Sequence, residues 1–245
     1  MSFKLLSVSA DAKTYKGEKL GYLTGVLYLA PAELSGYQTC PKATEGCKAA
    51  CLNTAGRGIY NKVQQARINK TKRFFEDRQN FMVDLYNDII TLIRKAEREG
   101  LIPVMRLNGT SDLAWEKFSF EINNLKFRNL FEAFPNIQWY DYTKVLNRKS
   151  ALSIKNYHLT FSLSENNDAD ALKALDMGMN VAVVVNIKRN VEKPKTFSGR
   201  VAVDGDESDA RFIDGEGKFI LLTAKGKARR DASGFVKQLD YKLGA

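Results

Sequence analysis

The 245-residue sequence holds one histidine, three cysteines, five prolines and two tryptophans, and each shortage excludes something. Three cysteines are too few for a disulfide scaffold. The longest uninterrupted apolar stretches, such as Val181–Val185, fall far short of the roughly 18 residues a membrane-spanning helix needs, so no membrane association is expected. The opening MSFKLLSVSADAKTYKGEKL alternates polar and apolar residues without an apolar signal region or a small-residue cleavage site, which points to the reducing cytosol. There is no G-x-x-x-x-G-K-[ST], and no G-x-G-x-x-G follows a strand, so triphosphate hydrolysis and dinucleotide redox chemistry lack support. Without a Pro/Ser-rich linker or a repeat of fixed period, residues 1–245 read as a single domain.

What is present is an ordinary globular composition, 44% hydrophobic and 27% charged, long enough to bury a substantial core. Lys and Arg number 38 against 28 Asp and Glu, a formal net charge of +10. Such a surplus favours nucleic acid or another polyanion as partner, or else is a generally solvated basic surface. Two basic runs stand out: Arg67, Lys70, Lys72 and Arg73 on a predicted helix, and Lys225, Lys227, Arg229 and Arg230 after a predicted strand. The second is the better phosphate-binding candidate, through Lys227, Arg229 and Arg230, with a solvated terminal helix as the alternative. Nothing in the sequence sets the oligomeric state.

Hydrophobic patterning predicts strands over 22–31, 102–107, 137–142, 158–163, 181–186, 201–204 and 219–223. Helices are predicted from Ile59 onward, over Phe81–Ala96 ended by Gly100, and over 127–134, 147–155 and 169–177. Strands alternating with helices imply βαβ units and a mostly parallel sheet. The expected class is therefore α/β, a partial (β/α) barrel of about six to seven strands. Residues 198–217, rich in glycine and acidic residues, read as a hairpin-like C-terminal excursion. Within them Asp204, Asp206, Ser208 and Asp209 lack the glycine and the final glutamate of a calcium loop.

Several predicted strands end in polar residues, and in parallel sheets the C-terminal strand ends form the active face. Arg106, Asn108, Ser111 and Asp112 follow the second strand, Asp141, Tyr142 and Lys144 the third, and Ser162, Ser164 and Glu165 the fourth. Amide, hydroxyl and carboxylate groups there are candidates to bind a cofactor's amino group or ribose, and Arg106 its carboxylate. Alternatively, Ser111 or Asp112 caps the next helix.

All three cysteines lie in CPKATEGCKAAC, spaced C-x6-C-x3-C. In a cytosolic chain such clustering points to a metal or redox site. Cys40, Cys47 and Cys51 can ligate three irons of a [4Fe–4S] cluster and leave the fourth open, whereas zinc needs a fourth protein ligand. His158, predicted at a strand start, lies on the rim opposite the cysteine loop and is poorly placed to be that ligand. The alternatives are zinc completed by water or carboxylate, and buried or redox-active thiols. Thr54-Ala55-Gly56-Arg57-Gly58 follows directly, either wrapping a cluster or serving as a plain loop.

A cysteine loop straight after the first strand of a partial barrel resembles the radical S-adenosylmethionine (SAM) superfamily, although its usual spacing is C-x3-C-x2-C. The run CPKATEGCKAACLNTAGRG, then VQQARINKTKRFF and RLNGTSD, resembles phage proteins of the gene-product-eighty-eight type over about residues 20–145. That likeness implies a viral origin, the cytoplasm of an infected host, and a radical-SAM-like barrel holding one [4Fe–4S] cluster, with SAM as a candidate second cofactor and no settled reaction. The alternative is a nucleic-acid-binding or host-interaction protein with a structural or redox-sensing centre. A relaxase-type replication nickase, a label some such proteins carry, needs two metal-binding histidines, and this chain has one.

Overall fold

A computed structural model describes residues 4–9, 12–188 and 191–244, the side chains of 12–14 excepted. Its strands are β1 (Leu6–Val8), β2 (Tyr22–Leu27), β3 (Ile102–Arg106), β4 (Phe120–Ile122), β5 (Leu125–Phe127), β6 (Gln138–Thr143), β7 (Tyr157–Ser162), β8 (Val181–Val185), β9 (Thr196–Phe197), β10 (Arg200–Asp204) and β11 (Phe219–Thr223). Its helices are α1 (Ala12–Glu18), α2 (Glu45–Ala49), α3 (Asn61–Glu76), α4 (Arg78–Glu99), α5 (Leu130–Ala133), α6 (Lys149–Leu152) and α7 (Asp168–Asp176).

The main sheet runs β1-β2-β3-β6-β7-β8-β11-β10-β9. Every neighbouring pair from β2 to β10 is parallel, and the antiparallel strands β1 and β9 form the edges. The protein is thus mixed α/β with a large, mostly parallel sheet. Among the described residues the edge strands do not pair with each other, so the sheet is open rather than a closed barrel.

The parallel register follows from the crossovers. Helices α3 and α4 return the chain from β2 to β3, α6 from β6 to β7, and α7 from β7 to β8. α4 is the main buttress: Phe81, Leu85, Ile89, Leu92 and Ala96 are fully buried against the sheet, with Met82 beside them. It ends at Gly100, whose φ of 65° is the left-handed cap. Trp139 on the same face of β6 packs edge-on against Phe131 of α5 at 5.0 Å.

Four predicted elements differ: the strand expected over 22–31 ends at Leu27, the helix expected over 147–155 is confined to Lys149–Leu152, and two others change more. The helix expected over 127–134 shrinks to Leu130–Ala133, because Phe120–Ile122 and Leu125–Phe127 form a hairpin instead. Asn123 and Asn124 both adopt positive φ, the backbone a tight primed turn demands and asparagine tolerates, and Phe120 stacks on Phe127 at 5.4 Å. Within 198–217, Arg200–Asp204 turns back on Thr196–Phe197 but also pairs parallel with β11 as part of the main sheet.

The face of the sheet opposite α4 is filled by the β10–β11 connection. Phe212 meets Tyr22 of β2 at 5.1 Å and Tyr140 of β6 at 5.7 Å. Asp209 pairs with Arg106 of β3 at 2.8 Å and accepts from Tyr140 at 3.2 Å. Lys16 of α1 donates to the Asp206 carbonyl at 2.7 Å. This segment leaves β10 and returns to β11, with β7 and β8 lying between β11 and β6, and the sheet curls so that it reaches β2, β3 and β6.

Candidate metal centre

The cysteine loop leaves β2 at Leu27 and is anchored at both ends. Leu29 and Ala30 are fully buried. Thr39 Oγ1 donates to the Ala30 carbonyl at 2.7 Å, and Thr71 Oγ1 of α3 accepts from the Ala30 amide at 2.8 Å. Cys40 follows, its sulfur accepting from the Ala32 amide at 3.4 Å. Thr44 caps α2, accepting from the Cys47 amide at 3.2 Å. Cys51 then caps the 52–54 turn, its sulfur accepting from the Asn53 amide at 3.5 Å. Arg67, buried in α3, donates to Asn53 Oδ1 and lies 4.8 Å over the Tyr28 ring.

Glu165, just beyond β7, clamps this loop from across the fold. Its two oxygens accept from Thr44 Oγ1 at 2.6 Å and from the Gly46 amide at 2.7 Å. Gly46 has no room for a side chain: a Cβ there would meet Glu165 Oε1 at 2.8 Å and Ser233 Oγ at 2.2 Å.

All three cysteines are free and half-buried. Burial raises the Cys40 thiol above its ordinary value and pushes Cys51 up to about 11; Cys47 raises both further, and Cys40 also acts on Cys51. Among the described residues no three His, Cys, Asp or Glu side chains are arranged to hold one metal ion. The donor chemistry is three sulfurs, two of them already receiving backbone N–H groups. Those donors fit a group that takes one thiolate per iron. Tetrahedral zinc would need a fourth donor beside the three sulfurs, supplied by a water or a carboxylate.

The remaining candidates fall into three places. Around the cysteine loop lie Glu165, Lys144 and Asp112. Lys144 donates to Ser162 Oγ at 3.1 Å and its charge acts on Cys51. Asp112 accepts from the Lys144 amide at 2.8 Å, lies 3.7 Å from Arg148, and acts on Cys40. Ser164 is fully buried, and its Oγ has no hydrogen-bond partner among the described residues.

On the filled face, Arg106 is committed to Asp209 and sits 4.8 Å over the Tyr142 ring. Burial works against the Arg106 charge, yet Asp209 together with Tyr142, Tyr140 and Tyr28 outweighs it and holds the guanidinium above its usual range, while burial pushes the Tyr142 phenol up to about 12. The third group is packed on the helix side. Asn108 Oδ1 accepts from Ser111 Oγ at 2.9 Å, the Leu113 amide at 2.9 Å and Trp115 Nε1 at 3.1 Å, so Asn108 and Ser111 turn their polarity into their own loop. Asp141 accepts from the Asn108 amide at 2.7 Å and Tyr157 at 3.0 Å, and burial raises its carboxyl to about 7.

His158 sits at the second residue of β7, where burial, then Arg211, lower its pKa to about 4. Asp204 and Asp206 pair with Lys193 at 2.6 and 3.2 Å, so this acidic stretch is neutralised by cations of the chain itself.

The two basic runs part company. In α3, Arg67 is buried, Lys70 donates to the Leu5 carbonyl at 3.0 Å, with burial lowering its pKa to about 8, and Arg73 pairs with Asp84 at 2.6 Å. Of that run only Lys72 is exposed, so Arg67, Lys70, Lys72 and Arg73 do not form a phosphate track. In the C-terminal run Lys225 pairs with Asp206 at 3.1 Å, while Lys227, Arg229 and Arg230 project outward from a turn over 226–230. That turn packs on the cysteine loop: a Cβ at Gly226 would lie 2.7 Å from the Thr54 carbonyl. Beyond it Phe235 packs with Ala50, Ala224 and Ala228 against Cys47 and Val184, covering the loop.

Sequence reasoning missed three features. The role of Asp209, Arg211 and Phe212 as filling depends on contacts with distant strands. The buried Glu116–Arg148 pair joins an ordinary acidic residue to a basic one 32 positions away. Phe235 gave only a weak signal, as an isolated aromatic in a polar terminal stretch. Among known proteins, the family model described as Gene product 88 matches residues 4–239. No curated protein and no solved structure matches.

Proposed function

The chain belongs to the gene product 88 family of phage proteins, and from that premise we propose that it binds one [4Fe–4S] cluster through Cys40, Cys47 and Cys51 and acts as a radical-SAM-like enzyme. The open, curled array of parallel strands is read as a partial β/α barrel. The observation that carries the proposal is that all three cysteines, each free and half-buried, lie on one loop beyond the C-terminal end of β2 that Glu165 clamps. When bound, a cluster with one open iron supplies the electron that cleaves SAM and begins hydrogen abstraction from a substrate.

The chain's own groups have defined tasks. Glu165 fixes Thr44 and Gly46, and so the spacing of Cys40 and Cys47. The Ala32 and Asn53 amides direct N–H groups at two sulfurs, which favours thiolate over thiol. Phe235 and the 226–230 turn cover the part of the loop beside Cys47. Lys144, Ser162, Ser164 and Asp112 offer an ammonium, two hydroxyls and a carboxylate beside it, the set an amino acid moiety such as that of SAM requires.

A second reading is favoured by the covering segment itself, since Phe235 closes the loop against Val184. There the centre is structural or redox-sensing in a nucleic-acid-binding or host-interaction protein. Anaerobic purification and reconstitution tests the proposal: brown protein with about four irons per chain is expected. A Cys47→Ser variant should lose the colour while keeping the wild-type far-UV spectrum. Colourless protein with stoichiometric zinc overturns the cluster. A reduced-cluster EPR spectrum that SAM leaves unchanged overturns the enzyme reading in favour of the second.

A further inference from the structure

We propose that the rim beside the cysteine loop is a binding surface for single-stranded nucleic acid, formed by the 226–230 turn together with residues 52–60. This goes beyond the cluster proposal and does not depend on it. The first observation is charge. Lys227, Arg229 and Arg230 are exposed, as is Arg57, and none of their side chains has an ion-pair or hydrogen-bond partner among the described residues. Other exposed cations, such as Arg94, Lys155 and Lys173, are spread over the surface, whereas Lys227, Arg229 and Arg230 lie within four residues of one another on a turn that packs against the stretch carrying Arg57.

The second observation is apolar. Leu52 is 52% exposed and Tyr60 is 60% exposed, both on the stretch that the 226–230 turn packs against. A free aromatic ring among unpaired cations suits splayed bases, which stack on aromatic faces while cations follow the phosphates. Duplex DNA offers no such stacking face.

The third is shape. A hollow of about 460 Å³ lies between α2 and the turn, with Lys227 and Arg230 on one wall and the small residues Ala49 and Ala50 on the other. Asp231 also lines it, but its carboxylate is held by Ser233 and the Val236 amide at 2.6 and 2.9 Å, turned into its own loop. A nucleotide phosphate entering the hollow meets two cations and one carboxylate, the latter already hydrogen-bonded within its own loop.

The test is fluorescence anisotropy with a labelled 20-nucleotide single-stranded DNA of mixed sequence, its RNA counterpart and the matching duplex, across a salt series, on both the apoprotein and the reconstituted protein. Replacing Lys227, Arg229 and Arg230 together with Ala should flatten the slope of log affinity against log salt by about 2, since each phosphate contact on a single strand contributes roughly 0.7. Tyr60→Ala should weaken single-strand binding about fivefold or more and leave the salt slope unchanged. The control is Ala replacement of Arg94, Lys155 and Lys173, exposed cations elsewhere on the surface. Equal losses from the two triple variants, wild-type binding without salt dependence, or a duplex bound as tightly as the single strand with Tyr60→Ala neutral would overturn the proposal. Binding by apoprotein and reconstituted protein alike supports this surface whatever becomes of the cluster.

Discussion

Replacing Asp209 with Ala removes one partner of a pair whose side chains are only 11% and 7% exposed, and leaves the Arg106 guanidinium facing the filled interior. Breaking a buried ion pair from one side costs about 3–5 kcal/mol, because the remaining charge keeps its desolvation penalty. Here the low end applies: Arg106 retains the Tyr142 ring at 4.8 Å, while Tyr140 loses its acceptor at 3.2 Å. For a domain of this size each kcal/mol moves Tm by roughly 2–4 °C, so a loss of about 3 kcal/mol lowers Tm by about 6–12 °C. Thermal melts followed by circular dichroism, with urea titrations at 25 °C, measure it. The reasoning makes a sharper demand on the double variant Arg106→Met with Asp209→Leu. Removing both charges removes the unpaired one, so the double variant should be more stable than Asp209→Ala. A single variant within about 1 kcal/mol of wild type, or single-variant losses that simply add in the double, would refute the buried-pair account.

Two further outcomes follow from groups already described. Burial raises the folded-state pKa of Asp141 to about 7, above the ordinary carboxylate value, so its neutral form is the one the fold favours. Stability from this group is therefore full at low pH and declines as pH rises from about 4 to about 7. In urea titrations, Asp141→Asn should match wild type near pH 4 and gain on it up to neutrality, and parallel stability profiles would remove Asp141 as the cause. At the cysteine loop, Gly46→Ala drives a methyl group into Glu165 and Ser233, an overpacking cost of about 1–3 kcal/mol. Iron content after reconstitution should fall in that variant while the far-UV spectrum stays that of wild type, and full iron retention would show that the clamp does not set the cysteine spacing.

The parallel strands were legible because each is a short apolar or β-branched run between turn residues, Val181–Val185 most plainly. The α4 helix was legible because its apolar residues recur at helical spacing over six turns. The hairpin at 120–127 was not, since Asn123-Asn124 is a weak turn signal beside the apolar Leu130–Phe131 run that suggested a helix. At the site, residue types were readable and their partners were not. Glu165 stood out as a polar strand end, yet its role depends on Thr44, 121 residues away. The basic run in α3 shows the same gap: the pattern of Arg67, Lys70 and Arg73 reveals charge, while Asn53, Leu5 and Asp84, which absorb it, are distant in sequence.

The filling of the curled sheet by residues 205–214 also sets an order of events during synthesis. Arg106 and Asp209 are 103 positions apart, and Lys16 meets Asp206 across 190. When β2, β3, β6 and β7 have left the ribosome, the segment that lies against Tyr22, Arg106 and Tyr140 has not yet been made. Until it arrives, one face of the growing sheet presents aromatic rings and an unpaired guanidinium to water, the kind of surface that chaperones hold and that aggregates form from. Contacts of such long sequence separation also slow the final step, because loop closure must precede the packing that rewards it. Nascent chains arrested before residue 205 should therefore remain protease-sensitive through β6 and β7, and chains long enough for residue 223 to have cleared the ribosome should become resistant as β11 joins the sheet.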